Sequence, residues 1–169
     1  MPDYIFDTTV LSNLAAVERV DLLERRYRQV AFTTIEVADE LRRGFQGGYN
    51  YLEAVLLQIQ ALSPYGWLRI ASPKTTTELQ LRSEFDLLLD PGEASCLALA
   101  VSRDLILVTD DLAARKVARE RDVRLTGTLG ILITLVREGS LSLAEGNEIL
   151  ARMIALRYHS PLNRLDELV

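Results

Sequence analysis

Apolar residues fall in short continuous runs separated by longer stretches of helical spacing. Tyr4-Ile5-Phe6 is a brief apolar run ending in Asp7, which predicts a buried strand. Residues 10–27 place Leu11, Leu14, Ala15, Leu22 and Leu23 at helical intervals and predict one or two helices. Val30-Ala31-Phe32 reads as a second strand. Residues 33–43 read as a helix with Ile35, Val37, Ala38 and Leu41 on its apolar side, broken by the glycine-rich run 44–48. A helical pattern over 50–62, a strand at 67–70 and a helix over 74–89 follow. Asp90-Pro91-Gly92-Glu93 is a strong helix start, with a cap, proline at the first position and Glu at the third. That helix runs through Ala94, Leu97, Ala98 and Val101. Leu105 to Thr109 is a continuous apolar run of the kind found in parallel sheets covered on both faces. A helix over 111–121, a strand near Val123-Arg124-Leu125, and helices over 128–138 and 142–156 complete the pattern, before a tail broken by Ser160-Pro161.

Strands alternating with helices predict a mostly parallel sheet of four or five strands between helical layers. Ligands of such sheets sit beyond the carboxyl ends of the strands, so the chemistry belongs just after them. Length and composition fit one ordinary globular domain: 169 residues, 49% hydrophobic and 25% charged. No linker or repeat divides the chain, so 1–169 reads as one domain, with a core over about 3–137 and a C-terminal helical extension over 138–169. The single Cys96 and single His159 exclude an internal disulfide, a Cys-rich zinc site and a multi-His metal site. No apolar run approaches the roughly 18 residues of a membrane span, and the acidic start Met1 to Asp7 does not resemble a signal peptide. The expected setting is therefore cytoplasmic, with no membrane partner.

Charge sharpens the picture. Net charge is −5, from 24 acids against 19 bases, which speaks against a broad basic face gripping nucleic acid. Of the bases only Lys74 and Lys116 are lysines; the rest are arginines, whose planar fork suits phosphate. Asp7 and the pair Asp110-Asp111 each follow a predicted strand, so both lie on one sheet edge. Gathered carboxylates repel unless a cation compensates or one takes a proton. Hard oxygen ligands without His or Cys suit Mg²⁺ or Mn²⁺. The plainer use of such aspartates is to cap the helices that follow. Glu36 fits a capping box with Thr33 and Thr34, whereas Glu40, one turn on, has no such task and is the better site candidate. Asp39 lies off that face and reads as solvated. Glu93 fits a cap and a metal ligand equally well. Residues 111–125 carry Arg115, Lys116, Arg119, Arg121 and Arg124 against three acids. Arg115 and Arg119 share a helix face that can serve a phosphate-bearing substrate or simply be solvated. Arg42 and Arg43, with Phe45, Tyr49 and Tyr51, form a second basic and aromatic patch.

Four segments together are similar to the PIN-domain family in kind and order: Asp7-Thr8-Thr9-Val10-Leu11, Val37-Ala38-Asp39-Glu40-Leu41, Gly92 to Ala100, and Val108-Thr109-Asp110-Asp111. The run Gly127 to Leu132 resembles a branch of mostly uncharacterised PIN proteins. The resemblance implies a three-layer α/β/α fold and a metal-dependent nuclease, usually an endoribonuclease acting on RNA. It also implies that the chain can be the toxin of a toxin–antitoxin pair, with an antitoxin protein as partner. Residue by residue it makes Asp7, Glu40, Glu93 and Asp111 the four site acids. Of these, Asp7, Glu93 and Asp111 would ligate Mg²⁺ or Mn²⁺, with Glu40 acting directly or through water. Thr9, Thr109 and Asp110 support them, and Arg115, Arg119, Arg42 and Arg43 are candidate substrate contacts. The stripe Leu141, Leu143, Ile149, Leu150, Ile154 and Leu156 packs on the domain or forms a dimer face, and a homodimer is the expected assembly.

Rival readings are a catalytically silent PIN-like module that binds RNA or protein, and a receiver-type phosphoryl-transfer domain. A receiver carries its acidic pair near the N-terminus and a lysine late; here the pair is late and neither lysine follows a strand end suitably. A dinucleotide-binding enzyme is disfavoured because the run 44–48 follows a helix and lacks the required glycine spacing.

Overall fold

The architecture follows from five short strands, of which the central three are apolar enough to be covered on both faces. The structure, a computed structural model, describes residues 1–169. The strands are β1 (Tyr4–Phe6), β2 (Ala31–Thr33), β3 (Arg69–Ile70), β4 (Ile106–Val108) and β5 (Leu125–Thr126). They form one all-parallel sheet in the order β3-β2-β1-β4-β5. Ile5 and Phe6 are fully buried, as a strand at the centre of a covered parallel sheet requires. Register pairs Ile5 with Phe32 on one side and Leu107 on the other. The chain therefore winds outward from β1 through β2 to β3, then crosses to the other side for β4 and β5. The winding reverses between β1 and β4, the place where open parallel sheets leave a crevice for ligands.

Nine helices flank the sheet: α1 (Thr8–Ala16), α2 (Asp21–Tyr27), α3 (Ile35–Gln46), α4 (Glu53–Leu56), α5 (Thr76–Phe85), α6 (Pro91–Arg103), α7 (Leu112–Glu120), α8 (Thr128–Arg137) and α9 (Leu143–Ala155). Helix α6 packs on β1 and β4 and against α3, α5 and α7. Residues Ala94 to Ala100 are all buried, which suits its small apolar residues. No helix is long and apolar enough to cross a membrane.

Several expectations are corrected. The predicted helix over 50–62 shrinks to a 3₁₀ turn at Asn50–Leu52 and the single turn α4, after which Ile59 bridges Leu68 in parallel. Gly66 allows that return, since a Cβ there would lie 2.6 Å from Gln60 N. Helix α3 does not break at Gly44 but continues to Gln46. Gly44 instead makes room for Leu52, whose Cδ1 would lie 2.6 Å from an added Cβ. The capping box at Glu36 does not form. Thr34 is the cap and accepts from Val37 N, so Glu36 falls one place short and pairs with Arg82 on α5. Ile35, expected on the apolar side of α3, is exposed. In the C-terminal stripe Leu141, Ile149 and Leu150 are buried and Leu143 and Ile154 pack on the core, while Leu156 is exposed.

Candidate active site

The carboxyl ends of β1 and β4 lie side by side because the two strands pair directly. Asp7 leaves β1 in extended conformation and caps α1, its Oδ1 accepting from Thr9 N at 3.0 Å. Asp111 caps α7 in the same way, accepting from Ala114 N at 2.8 Å. Asp110 does not cap the helix that follows it; its Oδ1 accepts from Thr128 N, in the first turn of α8, at 2.9 Å, and Gly127 holds the cap position there. The capping and shared-edge readings hold together for Asp7 and, at the second strand end, for Asp111 in place of Asp110.

Two threonines couple them. Thr9 Oγ donates to Asp7 Oδ1 at 2.7 Å and accepts from Asp110 N at 2.9 Å. Thr109 Oγ donates to Asp7 Oδ2 and accepts from Asp111 N at 3.0 Å. Each oxygen of Asp7 thus takes one hydroxyl; the Thr9 hydroxyl takes a backbone N–H of the opposite strand end, and the Thr109 hydroxyl one of its own. This arrangement uses both hydroxyl protons to support a carboxylate that is only 1% exposed.

Burial nonetheless outweighs these bonds. It pushes the Asp7 carboxyl up to about 7, against the lowering effect of Thr109 and Thr9. Glu93, half-buried at the start of α6, is also pushed up to about 7, first by burial and then by the negative charges of Asp111 and Asp7. Glu93 and Asp111 line a shallow groove of about 330 Å³ that also includes Asp90. Glu93 Oε2 accepts from Asp90 N at 3.3 Å.

Glu40 reaches the same edge from α3. Its Oε2 accepts from Thr8 Oγ and its Oε1 from Gly92 N at 2.9 Å, so it ties the start of α1 to the start of α6. Gly92 makes this possible, because an added Cβ would lie 2.6 Å from both Glu40 oxygens. Gly92→Ala is expected to displace the flexible carboxylate and leave the helix intact. Because a flexible side chain takes up the shift, the melting temperature should stay within about 2 °C of wild type, which thermal unfolding checks.

The basic candidates divide. Arg115 is half-buried and its Nη1 donates to Thr109 O at 2.8 Å, beside the acids. Arg119, Arg42 and Arg43 are exposed, and Arg42 pairs with Asp39 at 3.4 Å. Sequence reasoning missed Thr8 and Asn13, which bond to Glu40 and Asp110 respectively. Both are polar residues on α1. A Thr following a strand-terminal Asp was the available signal for Thr8.

A family model described as a PIN domain matches residues 3–169. This chain belongs to the PIN-domain family. The crystal structure of PAE2754 from Pyrobaculum aerophilum is similar in fold, with 20% identity and a TM-score of 0.52, covering 83% of this chain and 98% of that one. No curated protein matches the chain closely enough to serve as a relative. PIN domains are generally nucleases and typically use divalent metals. In this PIN domain the donor chemistry fits such an ion. Asp7, Glu93 and Asp111 offer hard oxygens and no nitrogen or sulfur, the donor set of a hard divalent cation. No three of these side chains converge on a single point as they stand.

Proposed function

We propose that this PIN domain is a Mg²⁺- or Mn²⁺-dependent endoribonuclease that hydrolyses phosphodiester bonds of single-stranded or structured RNA. The observation that carries the reading is the double threonine bridge, which holds Asp7 against the Asp110-Asp111 strand end at the point where the sheet reverses its winding. Asp7, Glu93 and Asp111 would hold the ion. When bound, it would offset negative charge on the phosphodiester and acidify a water.

The chain's own residues would do the rest. Thr9 and Thr109 keep Asp7 oriented with its oxygens saturated on the strand side. Glu40, bonded to Thr8 and Gly92, holds the starts of α1 and α6 together and would reach the ion directly or through water. Arg115 supplies positive charge beside the groove for the substrate backbone. The same reading makes the protein a candidate toxin, with an antitoxin and a second copy as its protein partners.

One observation favours a second reading, a catalytically silent binding module: the carboxylates do not close on one point. Titration of Mn²⁺ against purified protein and a labelled single-stranded RNA separates the two. The nuclease reading expects metal-dependent cleavage that a chelator abolishes. It also expects Asp111→Asn to slow cleavage on the order of a hundredfold. Metal binding without cleavage would establish the silent module.

A further inference from the structure

We propose that the cleft between the first turn of α8 and the C-terminal segment is a nucleobase subsite, taking one unpaired base of an RNA strand whose backbone crosses the acidic groove. The choice of ligand rests on the nuclease reading; the existence of a built cleft does not.

The cleft measures about 640 Å³, within the range of small-ligand sites. It shares Asp110 with the acidic edge, and Arg115 stands in its wall while bonding Thr109 O at 2.8 Å. A ligand seated there lies beside the carboxylates rather than on a separate face. Aliphatic surface comes from Leu125, Leu129 and Ile133, and two flat rings come from Tyr158 and His159. Stacking surface beside one cation is the usual provision for an unpaired base, which presents a π-face in every sequence. Polar edges would meet Thr126 and the Tyr158 phenol. Leu112 lines the mouth at 81% exposure, an apolar side chain with nothing covering it.

Two features show that the cleft is constructed. Gly127 and Gly130 form part of its wall with bare backbone. A Cβ at Gly127 would lie 2.4 Å from Asp110 Oδ1, and one at Gly130 would lie 2.3 Å from Thr126 Oγ. Beyond the far wall the tail is anchored to α9. Asn147 on α9 accepts from Leu165 N at 2.7 Å and donates to Asp166 at 2.9 Å, and Leu165 is fully buried. The Asp110 oxygens are taken by Thr128 and Asn13, and its negative charge is faced by Arg115 in the same wall. His159, the only histidine of the chain, thereby gains a role that its place in the tail did not suggest.

The test is RNA binding by the full chain, read by fluorescence anisotropy in EDTA so that no cleavage intervenes. The probes are a labelled single-stranded hexanucleotide and versions with one abasic residue at each position. One abasic position is expected to weaken wild-type binding roughly tenfold. His159→Ala should weaken binding of intact RNA by a similar factor and lose sensitivity to that abasic position. Tyr158→Leu, which keeps the apolar bulk, should behave alike, and thermal unfolding verifies that both variants fold. Base-dependent binding by a chain that never cuts RNA would support the cleft and refute the nuclease reading. Cleavage accompanied by binding that ignores every abasic position and both substitutions would overturn the cleft alone, leaving it to a protein side chain.

Discussion

Asp7→Asn should reduce Mn²⁺-dependent RNA cleavage on the order of a thousandfold while raising the melting temperature of the metal-free protein. The two effects have one cause. Asp7 is 1% exposed, and burial makes its negative charge costly in the absence of a cation. Asparagine has the same shape and keeps an oxygen for Thr9 N, but it brings no charge for an ion to meet. Its amide then takes the Oδ2 place and faces the Thr109 hydroxyl, which now donates there and has to turn. That costs part of what removal of the buried charge returns. A net gain of about 1 kcal/mol is expected, which raises the melting temperature of a domain this size by roughly 2–4 °C. Cleavage assays with Mn²⁺ and thermal unfolding in EDTA check both effects. A variant that cuts RNA at the wild-type rate would remove Asp7 from the site. Lost cleavage with a lowered melting temperature would show instead that Asp7 serves the fold.

The opposition between stability and function at Asp7 helps explain what the sequence disclosed. Tyr4-Ile5-Phe6 and Leu105 to Thr109 were legible as strands because a parallel sheet covered on both faces leaves no polar alternation to confuse the pattern. An Asp directly after each strand then had to fall on one edge, whatever the remaining topology. The direct pairing of β1 with β4 is a long-range fact that no local pattern carries, and the threonine bridges depend on it.

Other features were hidden for the same reason. The 50–62 segment has helical spacing, yet the chain needs Ile59 beside Leu68 and turns away after α4. Glu36 satisfied a local rule on paper, but its partner Arg82 lies 46 positions away. Glu40 could be read from helical spacing as facing the edge, while its contacts, Thr8 and Gly92, arise from the close approach of α1, α3 and α6. The net charge of −5 reads differently once the fold is known. Setting aside Asp7, Glu40, Glu93 and Asp111 leaves the rest of the protein near neutral, so the acidity is concentrated at one edge and is compatible with a polyanionic ligand held locally.

Glu78→Gln should destabilise the protein by about 2–3 kcal/mol at neutral pH, and the difference from wild type should vanish in acid. Glu78 stands at the start of α5, where it closes a capping box with Thr75. Its Oε1 accepts from Arg103 Nε at 2.7 Å and its Oε2 from Lys74 N at 2.8 Å. Arg103 is the last residue of α6, so one carboxylate, 4% exposed, ties the beginning of α5 to the end of the helix that carries Glu93. The Arg103 bond holds the Glu78 carboxyl down at about 2, against an ordinary 4.5. A carboxyl depressed in the folded state contributes its full stability above its unfolded value and loses it as pH falls toward the folded one. The contribution is therefore complete above about pH 4.5 and disappears by about pH 2. Urea unfolding of wild type and Glu78→Gln at neutral pH should show midpoints well apart, converging across that window. Midpoints that stay equally separated down to pH 2 would mean that shape, and not the charge on Glu78, secures the α5–α6 corner. Because that corner lies at the far end of α6 from Gly92 and Glu93, the variant should retain cleavage at temperatures where it remains folded.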